Sequence, residues 1–312
     1  PSVGKLVPKM RKTAAILYFL YIILTVLDFL FLIVGGMPVF DAVCTSFGTA
    51  GTGGFGIKND SIASYSPYLQ NVTTVFMLLF GVNFSCYYLL TLRQIKNVLK
   101  DEELRLYVLI VLGSIGLVVW NLGDFYPTLE ETVRHAAFQV SSIITTTGFA
   151  TTDFDLWPSF SRTILLCLMV IGACAGSTGG GLKVARVLLL FKSLKRNIAQ
   201  MLHPRKVQVI RNNGSVVSER IVANTNAYLC AYVVLMFGSF VLISLDGYSV
   251  GTNFSAVLSC LNNIGPGLEL AGPTCNFSIF STFSKLVLIL DMLLGRLEIF
   301  PILVLFSPDT WK

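Results

Sequence analysis

Three glycine- and threonine-rich segments carry the residues with the most distinctive chemistry: SFGTAGTGGFGIKND at 46–60, SSIITTTGFATTDFD at 141–155 and LSCLNNIGPGLELAG at 258–272. Aligned on one glycine each, they put Gly54, Gly148 and Gly265 in register. Gly51, Thr52 and Gly53 precede the first, Thr145, Thr146 and Thr147 the second, and Asn262, Asn263 and Ile264 the third. Carbonyl and hydroxyl oxygens supplied from several loops around one axis can replace the hydration shell of a large monovalent cation. The candidate ligands are oxygens of Thr52, Gly53, Thr146, Thr147, Asn263 and Ile264. One such segment reads equally well as a surface turn. Three in the same topological place favour a shielded or water-lined cavity, because unpaired backbone in lipid costs several kcal/mol per group.

Two further features could act on such a cavity. The apolar run 161–191 contains Gly172, Gly176, Ser177, Thr178, Gly179, Gly180 and Gly181, and a helix loses about 1 kcal/mol per glycine. A break is predicted there, although small residues also permit close helix packing. It is not a phosphate loop: GSTGGGLK has Leu182 where that motif needs lysine, and no strand precedes it. Arg296 lies deep in the last apolar run, where a charge faces a cavity or a partner. Asp291 and Glu298 are near it but lack the helical pairing spacing, so an interhelical ion pair stays open. Asp28, Lys183 and Arg186 receive no role. His135 and His203 are the only histidines, and no cluster of nucleophile, base or metal ligands accompanies them. The seven cysteines show no paired or metal spacing and read as small buried hydrophobes.

Apolar helices must position these residues. The 312 residues are 54% hydrophobic and 13% charged, about half the charge of a soluble domain. Runs near the roughly 20 residues that a helix needs to cross hydrocarbon lie at 13–35, 72–92, 104–122, 161–191, 223–245 and 283–306. Before each glycine-rich segment stands a shorter helical stretch, at 38–48, 128–144 and 252–261, suited to entering the membrane halfway. Thr128 and Thr252 are the expected N-caps of the second and third. Each repeat is thus a long helix, a half-length helix, a loop and a second long helix.

Charge orients this plan. Segments 1–12, 93–105 and 192–220 hold fifteen of the 23 Lys and Arg residues, which makes them cytoplasmic by the positive-inside rule. The alternate connections carry nine acids against four bases, so the loops face outward with a potential that gathers cations. Bases at headgroup level bind membrane lipid rather than nucleic acid.

The three loops, the run GACAGSTGGGLKVAR at 172–186 and the closing GRLEIFPILVLFSPDTW at 295–311 resemble the Trk/Ktr/HKT potassium transporter superfamily, the ending most like its bacterial TrkH branch. The resemblance covers essentially the whole chain. It implies an all-α integral membrane protein of the bacterial inner membrane, with helix–pore-loop–helix repeats around a pseudo-fourfold, potassium-channel-like pore. Three repeats are visible, at 1–102, 103–204 and 205–312, and the expectation is that a first repeat is missing. The aligned glycines are implied to select potassium over sodium. Residues 176–181 are implied to obstruct and gate the pore, with Arg296 opposing cation flow at the constriction. The implied partners are a second copy of the chain and a cytosolic, nucleotide-binding, TrkA-like ring docking at the basic segments. Potassium is the permeant ion, and nucleotide enters only through that partner. A solute symporter also uses broken helices, but would show inverted repeats, whereas these keep one orientation.

Overall fold

The computed structural model describes residues 10–203 and 208–305. Most of the basic segment 1–12, Arg205 and Lys206, and the end of the closing motif at 306–311 lie outside the described residues.

The first stretch of chain forms α1 (Met10–Val34), α2 (Val39–Ala50), α3 (Pro67–Phe80), α4 (Phe84–Thr91) and α5 (Ile95–Lys100). The second forms α6 (Glu102–Leu122), α7 (Leu129–Ile144), α8 (Ser159–Ile171) and α9 (Val184–Leu202). A hairpin of β1 (Arg211–Asn212) and β2 (Ser215–Val216) then leads into α10 (Glu219–Ile243), α11 (Val250–Asn262), α12 (Thr282–Arg296) and α13 (Ile299–Leu305). Stretches of α1, α6 and α10 are each long and apolar enough to cross a bilayer: Ala14–Val34, Glu102–Leu122 and Glu219–Asp246. Their outer faces carry exposed apolar side chains such as Leu109, Leu112, Val234 and Val241. A helical bundle with an apolar exterior buries its backbone hydrogen bonds within each segment, as lipid requires. The chain is a multi-pass membrane protein.

The runs at 72–92, 161–191 and 283–306 are each broken rather than continuous, where only the middle break is expected from sequence. α3 and α4 meet at 89°. Asn83 caps α4 there by accepting the Ser85 N–H at 2.9 Å, which fixes a new helix start. The last run breaks between Arg296 and Ile299. Pro301 lacks the N–H that would reach the Leu297 carbonyl, and its ring excludes a continuous helix at that point. The middle run stops at Ile171 and resumes at Val184.

The half-length helices are placed by caps. Thr128 accepts the Glu131 N–H at 3.2 Å. The third is capped by Ser249, not Thr252: Ser249 accepts the Thr252 N–H at 3.0 Å, which moves the start of α11 back toward Val250. α7 and α11 bury most of their residues, including Ser141, Ser142, Ser255 and Ser259, while the core built on Val140, Ile144, Leu165, Leu258 and Leu288 runs between them. The expectation of buried cysteines holds for Cys86, Cys174 and Cys260 but not for Cys167, Cys230 and Cys275, which are exposed. Cys167 and Cys230 belong to apolar helices whose outer faces meet lipid, so apolar neighbours in sequence do not place them in a protein core.

Candidate functional site

The three half-length helices end in the same local structure. Thr52, Thr146 and Asn263 take left-handed backbone, with φ of 50°, 56° and 56°. Their N–H groups donate to Thr49, Ile143 and Cys260 carbonyls at 3.2, 3.1 and 3.1 Å. The next N–H in each, from Gly53, Thr147 and Ile264, donates to Gly48, Ser142 and Ser259 at 2.8, 2.9 and 2.9 Å. This paired pattern is the Schellman ending of a helix. Two threonines and an asparagine hold a conformation that usually goes to glycine, at a cost of about 1–2 kcal/mol each. Two residues later Gly54, Gly148 and Gly265 again have positive φ, at 65°, 90° and 110°. The alignment made on the glycines therefore coincides with a repeated backbone.

The loops also stand side by side with a constant offset. A Cβ on Gly54 would lie 2.0 Å from the Thr147 carbonyl oxygen, and one on Gly148 would lie 2.0 Å from that of Ile264. Each glycine thus abuts the residue preceding the glycine of the following loop. Gly265 has nothing within 4 Å of its Cβ position among the described residues. Ser142 donates its hydroxyl to the Phe149 carbonyl at 2.6 Å, and Ser259 donates to that of Gly265 at 2.7 Å. Both serines lie six residues before the aligned glycine, where Gly48 stands in the first loop. The alignment could have marked them. Thr145, Thr146, Thr147 and Asn262 are fully buried, and Asn262 donates to the Tyr232 hydroxyl at 2.9 Å.

The interruption between α8 and α9 lies against all three loops. The Gly180 N–H donates to Thr146 Oγ1 at 2.7 Å, and Thr52 Oγ1 donates to the Thr178 carbonyl at 3.0 Å. A Cβ on Gly180 would meet the Asn262 carbonyl at 2.6 Å, and one on Gly179 the Thr145 carbonyl at 3.0 Å. Only backbone without side chains fits so closely. Arg296 Nη1 donates to the same Thr178 carbonyl at 3.1 Å. Gly295, just before it, sits against the C-terminal end of α11, where a Cβ would come within 1.9 Å of the Leu261 carbonyl.

The candidate partners of Arg296 are engaged elsewhere. Glu298 pairs with Arg186, whose guanidinium lies 4.0 Å from the Tyr228 ring centre, and Asp291 accepts the Ser239 hydroxyl at 2.7 Å. Among the described residues Arg296 forms no ion pair, so the interhelical pair left open by sequence is absent there. A cavity of ≈ 220 Å³ lies next to the interruption, lined by Ser177, Thr178, Lys183, Tyr228, Arg296 and Glu298. In the loop after α11, Glu269 accepts hydrogen bonds from Ser249 and Thr252 at the start of that helix, which hold its carboxyl below the usual range.

The family model described as TrkH, cation transport protein, matches residues 2–312. The Trk system potassium uptake protein TrkH of Salmonella typhimurium is 38% identical over 99% of the chain and 64% of its own length. TrkI of Halomonas elongata is 29% identical over 99% of the chain and 63% of its own length. The crystal structure of the potassium transporter TrkH from Vibrio parahaemolyticus superposes with a TM-score of 0.89 at 34% identity, covering 99% of the chain and 67% of that protein. The chain thus spans about two thirds of the length of these relatives.

Proposed function

The chain belongs to the TrkH family of cation transport proteins, and from that premise we propose that it forms part of a gated, channel-like pore for potassium uptake. The relatives named above are potassium uptake proteins, and the family is one of transporters rather than enzymes. The observation that carries the proposal is the repeated backbone at Thr52–Gly54, Thr146–Gly148 and Asn263–Gly265, with one loop abutting the next.

In this reading carbonyl oxygens of Thr52, Gly53, Thr146, Thr147, Asn263 and Ile264 coordinate the dehydrated ion, with Gly51, Thr145 and Asn262 at the helix ends beneath them. Neutral oxygens suit a monovalent ion that must bind and leave. The half-helices point their partially negative C-terminal ends at that site. The repeats at 1–102, 103–204 and 205–312 serve as successive walls of a pseudo-fourfold pore, and the open side at Gly265 is the position for another.

Residues 176–181 act as the gate. They lie across the bases of all three loops, and Arg296 adds a positive charge at the same carbonyl. At an effective dielectric near 20, a unit charge about 6 Å away repels a cation by roughly 3 kcal/mol. The outward connections with excess acid gather the ion, and the basic segments lie in the cytoplasm of a bacterial cell. The reading includes a homodimer regulated by a cytosolic nucleotide-binding ring at segments 93–105 and 192–220.

The test is uptake of rubidium against sodium by cells expressing the intact protein with Gly148→Ser. A fallen rubidium-to-sodium ratio at equal protein yield is expected. An unchanged ratio overturns the assignment of the filter.

A further inference from the structure

Glu103 is a buried carboxylate that the proposed pore does not use. It sits in the first turn of α6 and is 8% exposed. Its Oε1 accepts the Ala175 N–H at 2.5 Å, and the Asn83 side chain and the Ala185 backbone lie beside it. These three groups bracket the interruption. Ala175 stands immediately before Gly176, Ala185 lies in the first turn of α9, and Asn83 caps α4 at the sharp bend. One carboxylate therefore ties the near end of the loop to the first turn of α6, with the start of α9 alongside. Backbone contacts reinforce the near end: the Phe84 N–H donates to the Gly176 carbonyl at 3.2 Å, and the Cys174 N–H to that of Gly81 at 3.0 Å.

The two residues before Glu103 are held by the hairpin. Asn213, at its turn with φ of 50°, accepts the Glu102 N–H at 3.0 Å through its side-chain oxygen. Its side-chain amide donates to Asp101 at 2.7 Å, and its own N–H donates to Glu102 at 3.2 Å. Lys192 on α9 pairs with Glu102 and donates to the Arg211 carbonyl at 2.7 Å. The Glu102 N–H is one of the orphan donors of a helix start, and here a side chain more than a hundred residues away satisfies it.

We infer that Glu103 is the positioning residue that holds the interruption closed, and that the hairpin Arg211–Val216 sets the position of Glu103 from the basic, cytoplasmic side. This rests on the reading of residues 176–181 as a gate. Displacing the hairpin shifts the N-terminus of α6, withdraws the carboxylate from Ala175 and frees the loop. The hairpin is then the place where a cytosolic partner acts on the gate without touching the pore.

Cys174, 1% exposed and adjacent to Ala175, is a native reporter, and Cys260, buried within α11, is the control. The intact protein is treated with a water-soluble maleimide and the labelled peptides are read by mass spectrometry, alongside rubidium uptake. Glu103→Ala is expected to label Cys174 about tenfold faster, as befits loss of a charged hydrogen bond, with Cys260 still protected. Basal rubidium flux rises with the rubidium-to-sodium ratio unchanged. Glu103→Gln, which can still accept from Ala175, restores both, and Asn213→Ala shifts labelling in the same direction by a smaller factor. Where Glu103→Ala gives no folded protein, Glu103→Asp, too short to reach Ala175, takes its place. Protection of Cys174 in the Ala or Asp variant overturns the inference, as does labelling of Cys174 and Cys260 together. Faster Cys174 labelling with unchanged flux upholds the anchor and instead overturns the gate.

Discussion

The three glycine-rich loops and the interruption at 172–183 are both non-helical backbone within a helical bundle, yet they are held in opposite ways. Each of the three loops is fixed by the helix that precedes it, through hydrogen bonds spanning a few residues, such as Thr147 to Ser142. The interruption is held by groups remote in sequence: Thr146, Thr52, Glu103 and Arg296. Locally capped loops keep their shape whatever their neighbours do. A loop that depends on distant contacts as well as on its own short-range bonds, such as Leu182 N–H to the Val170 carbonyl, is loosened when those partners move, the behaviour that the proposed gate requires.

The strongest break of this contrast is at the glycines. Gly148→Ala should cost about 4 kcal/mol or more, an exceptional loss for one methyl, because the Cβ would lie 2.0 Å from the Ile264 carbonyl. Gly265→Ala meets no neighbouring atom among the described residues, and its expected cost in this chain by itself is the backbone strain alone, about 1–2 kcal/mol. Thermal unfolding of the detergent-extracted protein compares the two, and equal losses would refute the loop-to-loop contact.

Arg296→Ala should raise rubidium flux on the order of a hundredfold, the equivalent of removing roughly 3 kcal/mol of repulsion, while Arg296→Lys keeps flux low. Reduced flux together with reduced monodisperse yield would show a structural role instead. Thr146→Val leaves the Gly180 N–H without its acceptor, at about 1–3 kcal/mol. The loop should open more readily, with basal flux up by about tenfold, and Thr146→Ser should retain the contact and the low flux. A Val variant as quiet as the parent would place the hold elsewhere.

The smallest effect is expected at Glu269. Hydrogen bonds from Ser249 and Thr252 lower its pKa in the folded protein. Its contribution is therefore present above the unfolded value of 4.5 and is lost as pH falls through the lower folded value. Because the carboxylate is exposed, Glu269→Gln should lower stability by less than about 0.5 kcal/mol at pH 7. Melting curves of the two proteins should converge as pH falls through that lowered folded value, and a gap that widens in acid would contradict the sign.

Much of this protein was legible in its residues because lipid narrows the choices. Apolar length marks α1, α6 and α10, the half-length stretches mark α2, α7 and α11, and the spacing of Gly54, Gly148 and Gly265 marks positions whose backbone does repeat. Glycine density located the break at 172–181. The breaks at Gly81–Asn83 and after Arg296 escaped notice because a run can stay apolar through a bend. Their causes, a capping asparagine and one proline, are single residues that hydropathy does not weigh.

By itself the sequence determined what is periodic and local: apolar spans, half-helices, the register of three loops and the charge asymmetry between alternate connections. Only the tertiary structure decided which distant groups meet. It set Gly180 against Thr146, gave Glu298 to Arg186 rather than to Arg296, and joined Asn213 to the turn that carries Glu103. The physical reason is range. Helix caps and apolar periodicity act over a handful of residues and are written in their order. A hydrogen bond between residues a hundred apart exists only once packing has brought their helices together, and no spacing along the chain records it.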